Sequence, residues 1–265
     1  MPNYCSNKVT LCGDAATVYE MAVFLREQDS PFSFNKVTPL PEALESAQSG
    51  SDEQYYKVKY GDWKEVASFG YLTAQGFSFE TRDALLQYLK EVRPSVNIDA
   101  IADRYHENMT KYGHMSWYSW CVENWGTKWD AGSVSCDTTV GNMELLASAQ
   151  DTSPVEITYT FDTAWSPPTP VIAKLSELYP TVSITHSYIE EGCVFAGEVM
   201  YQAGEVVSSN ETESADEMFE ISDWHRSFKS DDDEEDYESD ESDESDKNSD
   251  DSKDEDPETN TSGEK

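Results

Sequence analysis

Four of the seven tryptophans in this sequence fall within 13 residues, at Trp117, Trp120, Trp125 and Trp129. Together with Trp165, their flat faces could form a platform on which a base or a sugar stacks. Large aromatic side chains also dominate the burial of small α+β cores. We therefore expect these tryptophans to serve mainly as core residues, and we keep the ligand platform as the alternative.

Charged and polar side chains accompany the tryptophans at the predicted ends of strands. Lys128 stands between two tryptophans and near carboxylates, where a lysine could act as a general acid or hold a substrate. The alternative is structural, with salt bridges and with Asp162 and Thr163 capping the next turn. We expect the structural role. The candidate ligand-binding set is Trp125, Lys128, Trp129, Asp130, Asp162, Trp165, Glu190 and Glu191.

The other patterns that could carry chemistry are weak. Pro2 would become an N-terminal secondary amine after removal of Met1, but the sequence identifies no partner group for it. His106 and His114 lack the spacing of a metal motif, and the cysteines lack that of a zinc site. The chain has no Gly-x-Gly-x-x-Gly or Gly-x-x-x-x-Gly-Lys phosphate loop and no Gly-x-Ser-x-Gly elbow. We expect no metal or cofactor, assign no catalytic residue and favour a non-enzymatic protein.

The charge of the chain restricts its partners. Its 265 residues include 53 acids and 18 bases, for a formal net charge of -35. Residues 230–265 hold 19 of the acids and 3 of the bases, so both the tail and the remainder are acidic. Nucleic acids and anionic membrane surfaces both attract basic proteins. The composition therefore argues against direct nucleic-acid binding and against a membrane-surface protein, and no apolar run is long enough to span a bilayer.

The cysteines and the N-terminus predict a cytoplasmic protein. Five cysteines form an odd and widely spaced set. The first residues show no charged segment that leads into an apolar run, as a secretory signal would. We therefore expect reduced thiols in a cytosolic compartment.

The hydrophobic pattern mixes strands and helices. Alternating apolar residues predict strands, and apolar residues at helical spacing predict helices. The predicted strands are 8–12, 32–37, 132–138, 155–161, 182–188 and 192–201. The predicted helices are one behind an Asp14 N-cap that runs to about 28, and those at 81–93, 98–111 and 170–178. Residues 42–54 are predicted as a surface loop or weak helix.

The order β-β-α-β-β after the tryptophans predicts an α+β fold of ferredoxin-like type, an antiparallel sheet with helices packed on one face. The body covers 1–205 and includes a helical insert at about 42–116. A linker with a weak amphipathic patch follows at 206–229. The acidic tail of 230–265 buries too little apolar surface to offset chain entropy, so we expect it to be disordered.

The chain resembles the YubB-type ferredoxin-like family found in phages and conjugative plasmids. The matching pieces are the opening residues 1–7 with Gly13, and the segments 124–130, 163–168, 188–192 and 195–197. The resemblance covers about 1–200 in outline and is most specific from 121 to 201. Tyr4 stands where the family would have a tryptophan. The resemblance implies a fold and a setting in mobile elements, and it brings no established activity and no catalytic residues.

Three functional hypotheses follow. The first is a non-enzymatic protein of a mobile element that binds a basic host protein, as an acidic mimic of nucleic acid that inhibits a defence or nucleic-acid-binding factor. The second is a small-molecule or nucleotide-binding enzyme with a pocket near Lys128, Asp162 and Trp165. The third is a structural or oligomerisation module. The acidic tail is open to a solubilising role, to partner binding, to phosphorylation and to adaptation to a salty environment.

Overall fold

The computed structural model of the protein describes residues 3–48, 50, 52–148, 153–190, 192, 194–214 and 217. The predicted acidic tail and the amphipathic patch of the linker lie outside these residues. Within the described ranges, no helix is long and apolar enough to cross a membrane.

In the described part of the chain, six strands form one antiparallel sheet. They are β1 Tyr4–Gly13, β2 Gly132–Cys136, β3 Val155–Ala164, β4 Ser183–Glu190, β5 Ala196–Gln202 and β6 Glu205–Thr212. In space the strands lie in the order β2-β3-β1-β4-β5-β6, so the first strand of the chain is central. Five of the six predicted strands correspond to β1–β5, with changed ends.

The same residues contain eleven helices. They are α1 Ala15–Leu25, α2 Phe34–Val37, α3 Glu42–Glu45, α4 Glu53–Lys59, α5 Trp63–Ala67, α6 Gly70–Thr73, α7 Arg82–Val92, α8 Ile98–Tyr112, α9 Trp117–Asn124, α10 Val140–Ser148 and α11 Thr169–Leu178. The predicted helices correspond to α1, α7, α8 and α11. Helices α9 and α10 were not predicted from the sequence.

The first four strands have the predicted ferredoxin-like arrangement. Along the chain the order is β1, α1, β2, β3, α11 and β4, and in space these strands lie as β2-β3-β1-β4. This is the split β-α-β plan, in which the central strands pair with strands distant in sequence. Strands β5 and β6 extend the sheet beyond β4. Helices α2 to α9 lie between α1 and β2 in the sequence.

The main core lies between the sheet and the helices on one of its faces, as predicted. Alternate residues of β1 are buried, among them Val9 and Leu11. They belong to one apolar cluster with Leu25 of α1 and Leu175 of α11. The residues between them along β1, such as Lys8, are partly exposed on the opposite sheet face.

Asp14 caps the first helix, as the sequence predicts. Its Oδ1 accepts a hydrogen bond from the backbone N–H of Thr17 at 3.0 Å. Hydrogen bonding from Thr17 lowers the pKa of the Asp14 carboxyl. The helix ends at Leu25, before the predicted end near 28, because the next residue takes an extended backbone.

The strand predicted at 32–37 is wrong. Phe34–Val37 form the single-turn helix α2, and Phe32 precedes it. Both phenylalanines are buried, and the ring of Phe32 stacks on that of Phe161 with centroids 5.2 Å apart. Their spacing of two residues imitates a strand, but both rings are buried by packing on the sheet and not by pairing within it.

The helical insert has an apolar cluster of its own. Its helix α7 begins at a Thr81 cap, whose Oγ1 accepts from the Ala84 N–H at 3.2 Å. The buried members of the cluster are Tyr55, Val58, Val66, Leu72, Leu85, Leu89, Ile98 and Ala102. They come from α4 to α8, so the insert packs around residues separate from the main core.

The sheet continues past 205, where the linker was predicted to follow. Glu205–Thr212 form β6, the edge strand that pairs with β5. Nearly all of its residues are exposed, Val206 and Val207 among them. A strand exposed on both faces needs no alternation of apolar and polar residues, so the sequence carried no signal for it.

Candidate functional site

A cleft lies between the segment that follows α1 and the segment around α9. Its volume is about 420 Å³, within the usual range of small-molecule sites. We call it the tryptophan cleft. Its lining residues are Glu27, Asn35, Leu40, Glu45, Trp117, Cys121, Trp125, Lys128, Trp129 and Asp130.

Helix α2 forms one wall of the cleft, and Asp130 holds this helix in place. Its Oδ1 accepts hydrogen bonds from the backbone N–H groups of Phe34 at 2.6 Å and Ala131 at 2.7 Å. Its Oδ2 accepts one from the Asn35 N–H at 3.4 Å. The carboxylate thus caps α2, whose own N-cap residue Ser33 makes no side-chain capping bond. Asp130 therefore positions this wall and is already engaged by the chain.

Glu27 is also engaged by the chain. The Oγ of Ser33 lies 2.7 Å from Oε2 of Glu27 and 2.7 Å from Oδ2 of Asp130, and one hydroxyl hydrogen serves the two carboxylates in turn. Asn35 Nδ2 donates a further bond to Oε1 of Glu27 at 3.3 Å. Each of these two carboxylates of the cleft thus accepts hydrogen bonds from the protein itself.

The loop that carries Lys128 is fixed to the end of β3. Thr127 Oγ1 donates to the carbonyl oxygen of Ala164 at 2.9 Å and accepts from the Ala164 N–H at 3.1 Å. Ser166 Oγ donates to the carbonyl oxygen of Gly126 at 2.5 Å. The two residues that precede Lys128 are therefore held by the end of β3 and by the turn that follows it.

That turn places Trp165 with a φ of 70°, an uncommon conformation for a residue other than glycine. Its backbone N–H donates to the carbonyl oxygen of Asn3 at 3.0 Å. Thr163 Oγ1 donates to the carbonyl oxygen of Ser166 at 2.8 Å, across the same turn. Such a conformation persists where the surrounding bonds enforce it. Trp165 is 41% exposed.

The ammonium group of Lys128 lies over three aromatic rings. Its Nζ is 5.0 Å from the ring centroid of Trp129, 5.1 Å from that of Trp165 and 5.8 Å from that of Tyr118. The negative faces of such rings attract a cation at these distances. Among the described residues, Lys128 has no ion pair with a carboxylate. We call these three rings the lysine cage.

The five tryptophans divide between the core and the surface. Trp120 and Trp125 are buried in the main core, and Trp125 donates its indole N–H to a backbone carbonyl at 2.8 Å. Trp117 packs on the margin of that core. Trp129 and Trp165 belong to neither apolar cluster. The expected core role is therefore wrong for the last two, whose rings hold Lys128 instead.

Two of the predicted carboxylates lie apart from the cleft. Glu190 is buried and accepts hydrogen bonds from Asn3 Nδ2 at 2.6 Å and from a backbone N–H of the following turn at 2.8 Å. Asp162 accepts from Ser6 Oγ at 3.1 Å on the sheet face away from α1. Glu191 lies outside the described residues.

The structure thus brings together four members of the predicted set in one cleft: Trp125, Lys128, Trp129 and Asp130. Trp165 contacts Lys128 from beyond the lining. The sequence analysis named Trp117 only in the alternative ligand platform, and it missed the lining residues Glu27, Asn35, Leu40, Glu45 and Cys121. Asn35 lies in the one-turn helix α2, for which no sequence signal stood out, and Glu27 lies in the segment after α1.

Cys121 lines the cleft without the character of a nucleophile. Burial raises the pKa of its thiol to about 12, and the negative charge of Asp130 acts in the same direction. The thiol is therefore protonated at neutral pH, and the thiolate is the reactive form. The described cysteines Cys5, Cys12, Cys121 and Cys136 are free, and Cys193 lies outside the described residues. No group of three or more metal-ligating side chains occurs in the described ranges.

Comparisons with known proteins found one family, one curated relative and one solved structure to which the chain is similar. Residues 146–252 match the family described as a ferredoxin-like domain in Api92-like protein. The chain is 33% identical over 96 residues to the uncharacterized protein YubB of Escherichia coli (strain K12), a match that covers 36% of this chain. The chain spans only 57% of the length of YubB. A crystal structure of protein api92 from Yersinia pseudotuberculosis is similar with a TM-score of 0.40 and 12% identity, over 81% of this chain and 99% of that one.

The matches with the family and with YubB agree with the resemblance read from the sequence. They support a likeness to YubB- and Api92-type proteins and confirm the ferredoxin-like type of the fold.

Proposed function

We propose that the chain is a non-enzymatic protein of a phage or plasmid that binds a basic partner protein of the host. It would occupy a surface that the partner otherwise uses to bind nucleic acid. The observation that carries this proposal is the uneven balance of charge within the folded part. The mobile-element setting rests on the resemblance to YubB-type proteins alone.

Within the folded part, the excess of acids over bases lies mainly in the segments of the chain that form the sheet. We call the described residues of 3–41 and 117–217 the sheet body. It contains 17 acids and 5 bases, whereas the insert of 42–116 contains 12 acids and 8 bases. The insert is therefore close to electrical balance, and the sheet body is strongly negative.

Ion pairs follow the same division. Lysines of the insert pair with its acids in four contacts: Lys57–Glu65, Lys59–Asp99, Lys59–Asp103 and Lys90–Asp99. In the described sheet body, one such pair joins a lysine to an acid, Lys174–Glu177. The remaining acids of the sheet body keep an uncompensated negative potential, which speeds encounter with a basic surface.

We assign the contact to the sheet face opposite the helices. This face presents Glu156, Asp162 and Glu198 alongside Lys8, and of these three acids only Glu156 is exposed, the other two being partly buried. Ser6 Oγ holds Asp162 at 3.1 Å and Ser187 Oγ holds Glu198 at 2.9 Å, so both acids have a fixed place on the sheet. Carboxylates that are held in fixed positions on a sheet can pair with the cationic side chains of a basic nucleic-acid-binding surface.

A competition experiment tests the proposal. The full chain is titrated into complexes of a labelled short DNA duplex with purified basic DNA-binding proteins of Escherichia coli, the organism of its relative YubB. We expect release of DNA at about 50 mM salt and loss of that effect at about 300 mM, because salt screens charge attraction. No release from any of these proteins at low salt would contradict the proposal.

A matched pair of variants localises the effect. Asp162→Asn with Glu198→Gln removes two charges from the assigned face, and Glu80→Gln with Glu107→Gln removes two from the insert. We expect the first variant to weaken competition by roughly tenfold and the second to change it little, because screening confines the effect to charges near the contact. Equal effects of the two variants would show that the assigned face is wrong.

A further inference from the structure

We propose that the tryptophan cleft is a binding site for a small flat molecule that carries one carboxylate or phosphate group, with Lys128 as its anion contact. This site is separate from the sheet face assigned to the partner protein. Either proposal can therefore fail without the other.

The first support is that the charged side chains of the cleft differ in the partners they have within the chain. Asp130 and Glu27 accept hydrogen bonds from the chain. Lys128, two residues before Asp130 in the sequence, has no ion pair among the described residues. Glu45 is exposed at the rim. The three carboxylates of the lining likewise have no ion pair among the described residues, but donors of the chain already serve Glu27 and Asp130, whereas the ammonium of Lys128 has neither an ion pair nor a hydrogen bond there.

The second support is the balance of hydrogen-bond donors and acceptors. An ammonium group offers three donors, and each indole offers one. Neither Trp117 nor Trp129 donates its indole N–H to a described residue, in contrast to Trp125, which is satisfied by a backbone carbonyl. The unmatched groups on Lys128 and these two tryptophans are all donors. A ligand that complements them supplies acceptor oxygens, as a carboxylate or a phosphate does.

The third support is the apolar surface of the cleft. Trp117 and Trp129 are only partly buried, and Trp129 belongs to neither apolar cluster. A flat ring stacks on such indole faces and removes their remaining surface from water. The cavity of about 420 Å³ has room for one ring system with a short acidic substituent.

The anion contact is already in place without a ligand. The lysine cage holds Nζ within 5.0 to 5.8 Å of three ring centroids, and Thr127 ties the adjacent backbone to Ala164. A side chain ordered before binding loses less conformational freedom when the ligand arrives. Trp165, whose φ is 70°, supplies one of the three rings, with its centroid 5.1 Å from the ammonium.

Calorimetric titration of the full chain with defined probes tests this site. The acidic probes are adenosine monophosphate and indole-3-acetate, and their uncharged counterparts are adenosine and indole-3-acetamide. Tryptamine serves as the cationic probe. We expect at least one acidic probe to bind roughly tenfold more tightly than its uncharged counterpart and than tryptamine. The two acidic probes distinguish a phosphate ligand from a carboxylate ligand.

Salt provides a second readout. The chain has a net charge of -35, so its long-range field repels an anion. Added salt screens that repulsion. We expect the affinity for the acidic probe to stay level or to rise with salt, whereas binding to a basic protein falls.

Two lysine substitutions decide whether Lys128 is that contact. Lys128→Met keeps an apolar side chain against the rings and removes the charge, and Lys111→Met removes a charge that lies over Tyr112 outside the lining. We expect a loss of at least roughly tenfold for the first variant and no change for the second. Lys128→Arg should keep most of the affinity.

Several results would overturn the proposal. They are binding of no acidic probe, equal binding of acidic and uncharged probes, tighter binding of tryptamine, and undiminished binding by a folded Lys128→Met variant. The melting temperature of each variant is measured in parallel. If Lys128→Met fails to fold, Trp129→Leu replaces it, and unchanged binding by that variant would equally contradict the site.

Discussion

His186 is a buried polar residue that forms one side-chain hydrogen bond with a described residue. Its Nε2 lies 3.0 Å from Oδ1 of Asn7, whose Nδ2 donates to the Cys5 carbonyl at 2.7 Å and to Thr163 Oγ1 at 2.9 Å. Asn7 therefore accepts from His186, which donates from Nε2. Its Nδ1 is buried without a partner among the described residues. Burial lowers the pKa of His186 to about 3.

The stability of the protein should consequently fall on mild acidification. The unfolded chain takes up a proton on His186 below about pH 6.5, whereas the folded chain does so only near 3. Between these values the unfolded state binds more protons, so this residue removes up to about 1.4 kcal/mol of stability for each pH unit of decrease. Urea unfolding at pH values from about 7 to 5 measures this slope.

Glutamine at position 186 provides the comparison for the pH experiment. His186→Gln removes the titrating ring and keeps a donor for Asn7, so the slope should flatten. His106 is exposed, and His106→Gln should leave the slope of the parent protein. Equal slopes for the parent protein and His186→Gln would show that carboxylates alone control acid unfolding.

At the scale of elements, a loop and a turn decide where the site residues meet. Gly126 has a φ of 80°, in the left-handed region that favours glycine. A Cβ at this position would lie 2.7 Å from Cδ of Pro170 and 3.1 Å from the carbonyl oxygen of Pro167. The loop therefore packs directly on the start of α11, and this contact helps to set the position of Lys128.

Alanine at position 126 should disturb both the backbone and this contact. The left-handed conformation costs a residue with a Cβ about 1–2 kcal/mol, and overpacking adds about 1–3 kcal/mol. Gly113 has a φ of 76°, and a Cβ added there would meet no atom within 4 Å, so Gly113→Ala isolates the backbone cost. We expect Gly126→Ala to lower the free energy of unfolding by clearly more than Gly113→Ala in denaturant titrations. Equal losses would mean that the contact with α11 relaxes freely.

At the scale of the whole molecule, charge and core are separated along the sequence. The buried residues of both apolar clusters lie between Cys5 and Tyr201. The acids of 230–265 lie beyond them and add to the negative charge of the sheet body. Changes to the tail should therefore alter the electrostatic attraction of the chain for a basic partner without altering its stability.

Truncation after 229 should separate these two properties. Removal of residues 230–265 takes away 19 acids and 3 bases but no member of either apolar cluster. We expect the competition for basic DNA-binding proteins to weaken, most at low salt, because the acids of the tail add to the negative charge that attracts a basic surface and salt screens that attraction. Thermal unfolding should be unchanged. A lower melting temperature, or undiminished competition at low salt, would contradict this separation.

Local pattern alone identified much of the fold. Five strands, the Asp14 cap and four helices could be read from the sequence, because alternation, helical spacing and capping residues act over a few neighbours. The exposed strand β6, the one-turn helix α2 and the helices α9 and α10 lacked a clear signal of this kind. In α2 the decisive group, Asp130, is distant in sequence and no local pattern contains it.

The candidate site divides in the same way. The sequence by itself determined the strong negative charge and grouped Lys128 with its neighbouring tryptophan Trp129, because residues next to each other in the chain stay close in any fold. Only the tertiary structure decided that Trp165 joins them, that Asp162 and Glu190 do not, and that Glu27 and Asn35 do line the cleft. Those outcomes depend on which strand ends and helices meet, and that is set by packing between residues far apart in the sequence.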